Sequence, residues 1–62
     1  MFNFLKPKVR IQTVHPEYGE PMWGYEFSRV IYNDREIFKT GYYGGGSLFE
    51  ARRWAKENEY RY

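Results

Sequence analysis

The spacing of apolar and polar positions changes along this chain, and the changes divide it into elements. Over residues 8–14 the two kinds alternate, with Val9, Ile11 and Thr13 on one side and Lys8, Arg10 and Gln12 on the other. A period of two predicts a half-buried strand. Residues 23–32 are rich in aromatic and β-branched side chains and predict a second, longer strand. Asn33-Asp34 is a turn signal, after which residues 36–43 return as a third strand. Over residues 47–59 the period becomes helical. Leu48, Ala51, Trp54 and Ala55 then share one apolar arc, while Phe49, Arg52, Arg53 and Lys56 lie on a basic one. Ser47 and Glu50 have the spacing of a capping box, so Ser47 is the predicted N-cap.

The segments between these elements read as connections. Residues 1–7 form a lead-in. Residues 15–21 carry two prolines and a glycine and predict an exposed loop. Gly44-Gly45-Gly46 joins the third strand to the helix. The expected fold is a single α+β domain over residues 1–62: a three-stranded antiparallel meander with one C-terminal helix packed on one face, βββα. A two- or four-residue loop at Asn33-Asp34 places Tyr25, Phe27, Arg29 and Ile31 on one face with Phe38, Thr40 and Tyr42. That face is the more apolar, and the helix is expected on it. The other face, expected to be uncovered, holds Glu26, Ser28, Val30, Tyr32, Ile37, Lys39, Gly41 and Tyr43, together with Lys8, Arg10 and Gln12. A three-residue loop would exchange the faces of the third strand.

Composition narrows the class. A 62-residue chain is near the lower limit for independent folding, and without cysteine it has neither disulfides nor thiolate metal sites. An aromatic content of 23% compensates in part, because each buried ring removes a large area from water. No apolar run approaches the roughly 20 residues that span a bilayer, and the start is too short for a signal sequence. A soluble, cytoplasmic protein with no membrane partner is expected. The net charge of +2 is a mild basic bias, with Lys6, Lys8 and Arg10 clustered early and Arg52, Arg53 and Lys56 late.

Catalytic chemistry finds little support. His15 is the single histidine and sits in a loop without ligand partners at metal-binding spacing. Ser47 follows a glycine turn but has no histidine base near it, and a capping role accounts for it. The glycine turn lacks the ending of a nucleotide-binding P-loop. A non-enzymatic protein with no cofactor and no metal is expected. Lys8, Arg10, Gln12 and Lys39 form a cation-and-amide set on the uncovered face, suited to phosphates and base edges. Val30, Tyr32, Ile37 and Tyr43 on that face, with Phe49 at the rim, are the matching anchors for a protein partner.

Trp23-Gly24-Tyr25, the strand end Thr40-Gly41-Tyr42 and Ser47-x-x-Glu50-Ala51-x-x-Trp54 together resemble the N-terminal arm-binding domain of tyrosine recombinases, the phage-type integrases, and more distantly the AP2 domain of plants. The likeness covers residues 23–59. It implies a three-stranded sheet lying in the DNA major groove with the helix behind it, and a DNA-facing role for Arg10, Gln12, Ser28 and Lys39. The expected function is binding of double-stranded DNA through the uncovered sheet face. The alternative is a phage or mobile-element interaction module that docks on and inhibits a host protein or nucleic-acid enzyme. Its outer strands or sheet face also offer a route to a homodimer.

Overall fold

The computed structural model describes residues 6–62; of the predicted lead-in, residues 1–5 lie outside the described residues. Three strands, β1 (Arg10–Val14), β2 (Phe27–Tyr32) and β3 (Arg35–Lys39), form an open antiparallel sheet in the order β1-β2-β3. One helix, α1 (Ser47–Glu57), follows and packs across β2 and β1. The fold is βββα, of the α+β class. Each strand is shorter than the pattern predicts. Residues 21–24 form turns, and Glu26 and Tyr43 meet in an isolated bridge beyond the ends of β2 and β3.

The hairpin between β2 and β3 sets the faces of the sheet. Asn33 and Asp34 both take positive φ, 52° and 59°, giving a two-residue turn whose twist matches that of its strands. Tyr32 pairs with Arg35 and Ile31 with Glu36. The ladder then shifts, so that Val30 pairs with Phe38 and Arg29 with Lys39. Ile37 is the extra residue of a β-bulge. In an unbroken ladder Phe38 would stand opposite Arg29; the bulge moves it opposite Val30. Phe38 and Thr40 therefore lie on the helix side, as expected, but with Val30 and Ser28 rather than with Arg29 and Phe27. On the other side of β2, Ile11 pairs with Val30 and Thr13 with Ser28. The apolar side of β1 thus joins the same layer.

Val9, Val30, Ala51 and Ala55 form the buried core, with Ile11, Ile37, Phe38, Trp54 and Tyr60 packed around it. Two alanines on the inner face of α1 let its backbone come close to the sheet. Trp54 stacks on Phe38, ring centroids 4.6 Å apart and planes 10° apart, and on Tyr60 at 5.8 Å. Such ring pairs add about 0.5–1.5 kcal/mol each beyond the area they bury.

Both ends of α1 differ from the pattern reading. The N-cap is Gly46, at φ 87°, in the left-handed region that favours glycine. Ser47 is the first helical residue, and no side chain of the helix caps its own amides. The predicted capping box is absent because Glu50 accepts instead from the Tyr43 hydroxyl. At the other end Glu59 takes φ 65°. The Tyr60 amide donates to the Ala55 carbonyl at 2.9 Å, and the Glu59 amide to that of Lys56 at 3.2 Å. This is the Schellman pattern that terminates a helix. It directs residues 60–62 back along the sheet. The Val9 amide donates to the Arg61 carbonyl at 2.8 Å, and the Arg61 amide to that of Pro7 at 3.0 Å. The chain thus makes a short parallel pairing beside the entry to β1.

Candidate nucleic-acid interface

The face that α1 leaves open follows from the register. Gln12 pairs with Arg29 and Arg29 with Lys39, so these three side chains cross the sheet in one row. Arg10, paired with Ile31, stands in the next row, and Val14, paired with Phe27, in the one on the other side. Lys8 lines a surface pocket with Arg10 and Ile31. In its parallel bridge Lys8 faces Arg61, and paired residues share a side of the ladder.

Arg29 stands at the centre of this face. Its Nε donates to Gln12 Oε1 at 2.9 Å, and its Nη1 to Glu36 Oε1 at 3.3 Å. A guanidinium has five N–H donors, so three remain for a ligand. The two neighbours fix its plane, reducing the rotamer entropy lost on contact. Lys39 Nζ sits 4.5 Å from the centre of the Phe27 ring and 5.2 Å from that of Tyr42. Phe27 and Tyr42 meet edge to face at 5.3 Å. The face thus combines Arg10, Arg29 and Lys39 with amide and aromatic groups. Among the described residues, the carboxylate it holds in an ion pair is Glu36, with Arg29, and Asp34 lines the pocket beside Lys8 and Arg10.

Several residues expected here lie elsewhere. Ser28 and Val30 are 0% exposed, under the helix, and no partner can touch them. Both sit on the inner side of β2 because Thr13 and Ile11 pair with them. Tyr32, on that same side, packs its ring toward Tyr60 at 6.1 Å. Ile37 occupies the bulge and packs against the core. Tyr43 reaches Glu50 in the first turn of α1. Phe49 is 77% exposed, on the helix rather than at the rim of the open face. Of the expected contact residues, Lys8, Arg10, Gln12 and Lys39 share the open side. Phe27, Arg29 and Tyr42, expected under the helix, join them, as does Arg61. The long connection from Val14 to Phe27 leaves the β1–β2 register without a sequence signal, and that register is what brings Arg29 beside Gln12.

The inner face carries a polar chain across the molecule. Thr13 Oγ1 lies 2.8 Å from Ser28 Oγ, and Ser28 Oγ lies 2.8 Å from Ser47 Oγ. Ser47 donates its hydroxyl and, at 3.1 Å, its amide to Glu26 Oε2. A carboxylate only accepts, so its demand sets the direction: Thr13 donates to Ser28, Ser28 to Ser47, and Ser47 to Glu26. The Ser28 amide donates to Thr40 Oγ1 at 3.0 Å. The Ser47 hydroxyl bond holds the Glu26 carboxyl below its ordinary range, with the Ser47 amide and nearby His15 acting the same way against partial desolvation. Donation to Glu50 pushes the Tyr43 phenol up. The anion at the start of α1 is therefore the protein's own Glu26, where the helix dipole favours it. Glu26, expected on the open face, is on the opposite side.

Among the described residues no group of three or more histidine, aspartate or glutamate side chains is placed to hold a metal ion. No helix among them is long and apolar enough to cross a membrane. Comparison with known protein families, with curated proteins and with solved structures found no match.

Proposed function

We propose that this chain is a small non-enzymatic binder of double-stranded DNA, acting through the sheet face opposite α1. The observation that supports it best is Arg29, held in orientation by Gln12 and Glu36 between Arg10 and Lys39. Lys8, Arg10 and Lys39 supply charge for phosphates, which provides sequence-independent affinity. The free donors of Arg29 suit the paired acceptors on a guanine edge, and Gln12 suits adenine. Antiparallel strands can enter a major groove about 12 Å across. The residues shared with the arm-binding domains of tyrosine recombinases point to the same mode. Amide chemical-shift mapping with a random-sequence duplex tests it. Perturbations at Arg10, Gln12, Arg29, Lys39 and Tyr42 are expected; perturbations confined to α1, or none at low salt, contradict it.

A second reading, a protein-interaction module of a phage or mobile element that inhibits a host protein, draws on exposed aromatics. Tyr18 is 85% exposed and packs at a tilt of 55° against Trp23, ring centroids 4.6 Å apart, and Phe49 is nearly as bare. Aromatic side chains are enriched in interface cores. Pull-down from nuclease-treated lysate separates the two readings: partners retained without nucleic acid favour the second, and partners lost favour the first. Both place the protein in the cytoplasm, and neither involves a cofactor.

A further inference from the structure

Three cationic residues line one pocket beside the end of α1, where residues 6–9 meet residues 60–62. Lys6, Lys56, Tyr60, Arg61 and Tyr62 line a pocket of about 230 Å³. Its shape is fixed by the Schellman turn after α1 and the backbone pairing of Arg61 with Pro7 and Val9, together with the side-chain donation of Arg61 Nε to the Lys6 carbonyl at 3.0 Å. Lys6 meets Glu59 at 3.4 Å, and that carboxylate side chain is 76% exposed. Among the described residues, Lys56 and Arg61 have no carboxylate within ion-pair distance. Like charges gathered around one pocket repel, and an anion between them removes that cost. Lys56 also answers the negative end of the helix dipole and Lys6 is met by Glu59, which leaves Arg61 as the cation that neither accounts for. The volume is below the roughly 300–1,000 Å³ of small-molecule sites, so it suits one charged group. Arginine offers a fork and lysine a point charge, the usual pairing for phosphate.

We infer that this pocket holds a single phosphate of a nucleic-acid backbone, extending the open face past Lys8 to the C-terminal residues. The inference rests on the DNA-binding reading above. Arg61 faces the same side as Lys8, so a strand crossing Lys39, Arg29 and Arg10 continues toward it.

Two titrations test the site, each on the wild type and on the double variant K56Q/R61Q, which keeps part of both side-chain stems. In the first, inorganic phosphate is added at constant ionic strength and amide shifts are followed. Saturable shifts at Lys56, Tyr60, Arg61 and Tyr62, lost in the double variant, are expected. Shifts spread without saturation over all basic residues overturn the site. In the second, the salt dependence of random-duplex affinity is measured. The double variant's log–log slope should be shallower by about 0.9, the value for one phosphate lost. Wild-type duplex binding with a slope unchanged by the substitutions overturns the terminal site alone. A wild type that binds no duplex overturns the DNA reading and this phosphodiester assignment, while the phosphate titration still shows whether the pocket takes an anion. A thermal melt of the double variant within a few degrees of wild type establishes that the fold is intact.

Discussion

Glu26 at the head of β2 accepts both the amide and the hydroxyl of Ser47, tying the sheet to the first turn of α1 through one carboxylate. The helix thus receives from another strand the cap that its own sequence does not provide. Because the folded-state pKa of Glu26 is lowered, the bond contributes stability above the unfolded-state value. That contribution is lost as pH falls through the folded-state value. Glu26→Gln should therefore be less stable than wild type near neutrality, and the gap should narrow as pH falls through and below the ordinary carboxylate range. Urea unfolding at stepped pH checks this. A gap independent of pH would mean that ionised Glu26 has no part in it.

Ser28 links Thr13 to Ser47 at a fully buried position. Replacing it with alanine leaves Ser47 without a donor and Thr13 without an acceptor. Each unsatisfied buried group costs about 1–3 kcal/mol, so Ser28→Ala should lower unfolding free energy by about 2 kcal/mol. Chemical denaturation measures it, with the slope against denaturant expected to stay constant.

Deleting Ile37 should be tolerated better than an ordinary deletion in a strand. Without the extra residue the ladder closes regularly, with Phe38 still opposite Val30 and Lys39 still opposite Arg29, so both sides of β3 are kept. The variant loses the packing of Ile37 against the core, about 1–3 kcal/mol. It should keep a cooperative thermal transition at a lower temperature, whereas Ile37→Val should melt within a few degrees of wild type; loss of the transition on deletion would mean that the bulge itself is required for the fold.

The β2–β3 turn offers a gain. Asp34 sits at φ 59°, where an L side chain is disfavoured and glycine is not. Asp34→Gly creates the Asn-Gly pair that this turn prefers. It should raise stability by about 0.5–1 kcal/mol, the benefit being offset in part by a more flexible unfolded chain. A rise of a few degrees in melting temperature is the expected result.

How much of this was legible in the sequence depended on whether the deciding interaction was local. Alternation from Lys8 to Gln12 identified both sides of β1, and the helical arc of Ala51, Trp54 and Ala55 identified the inner side of α1. Asn33-Asp34 marked the hairpin. The bulge left no such signal, since nothing in Arg35-Glu36-Ile37-Phe38 distinguishes a two-residue from a one-residue pairing opposite Ile31 and Val30. That single step exchanged Phe27, Arg29 and Ile31 with Ser28, Val30 and Tyr32. It moved Arg29 into the candidate interface and took Ser28 out. The C-terminal pairing was equally hidden, because a glutamate rather than a glycine stands at the left-handed position after α1.

The open face remains the centre of the functional account, and salt dependence tests it most directly. Affinity for a random duplex should be measured by anisotropy from about 50 to about 200 mM salt for wild type and for the triple variant R10A/R29A/K39A, both checked for folding. With Lys8, Arg10 and Lys39 on phosphates, wild-type affinity should fall roughly 40-fold over that range, and the triple variant should bind weakly with a shallower slope. Equal affinity and equal slope in the two proteins, or no wild-type binding at the lowest salt, would contradict the account.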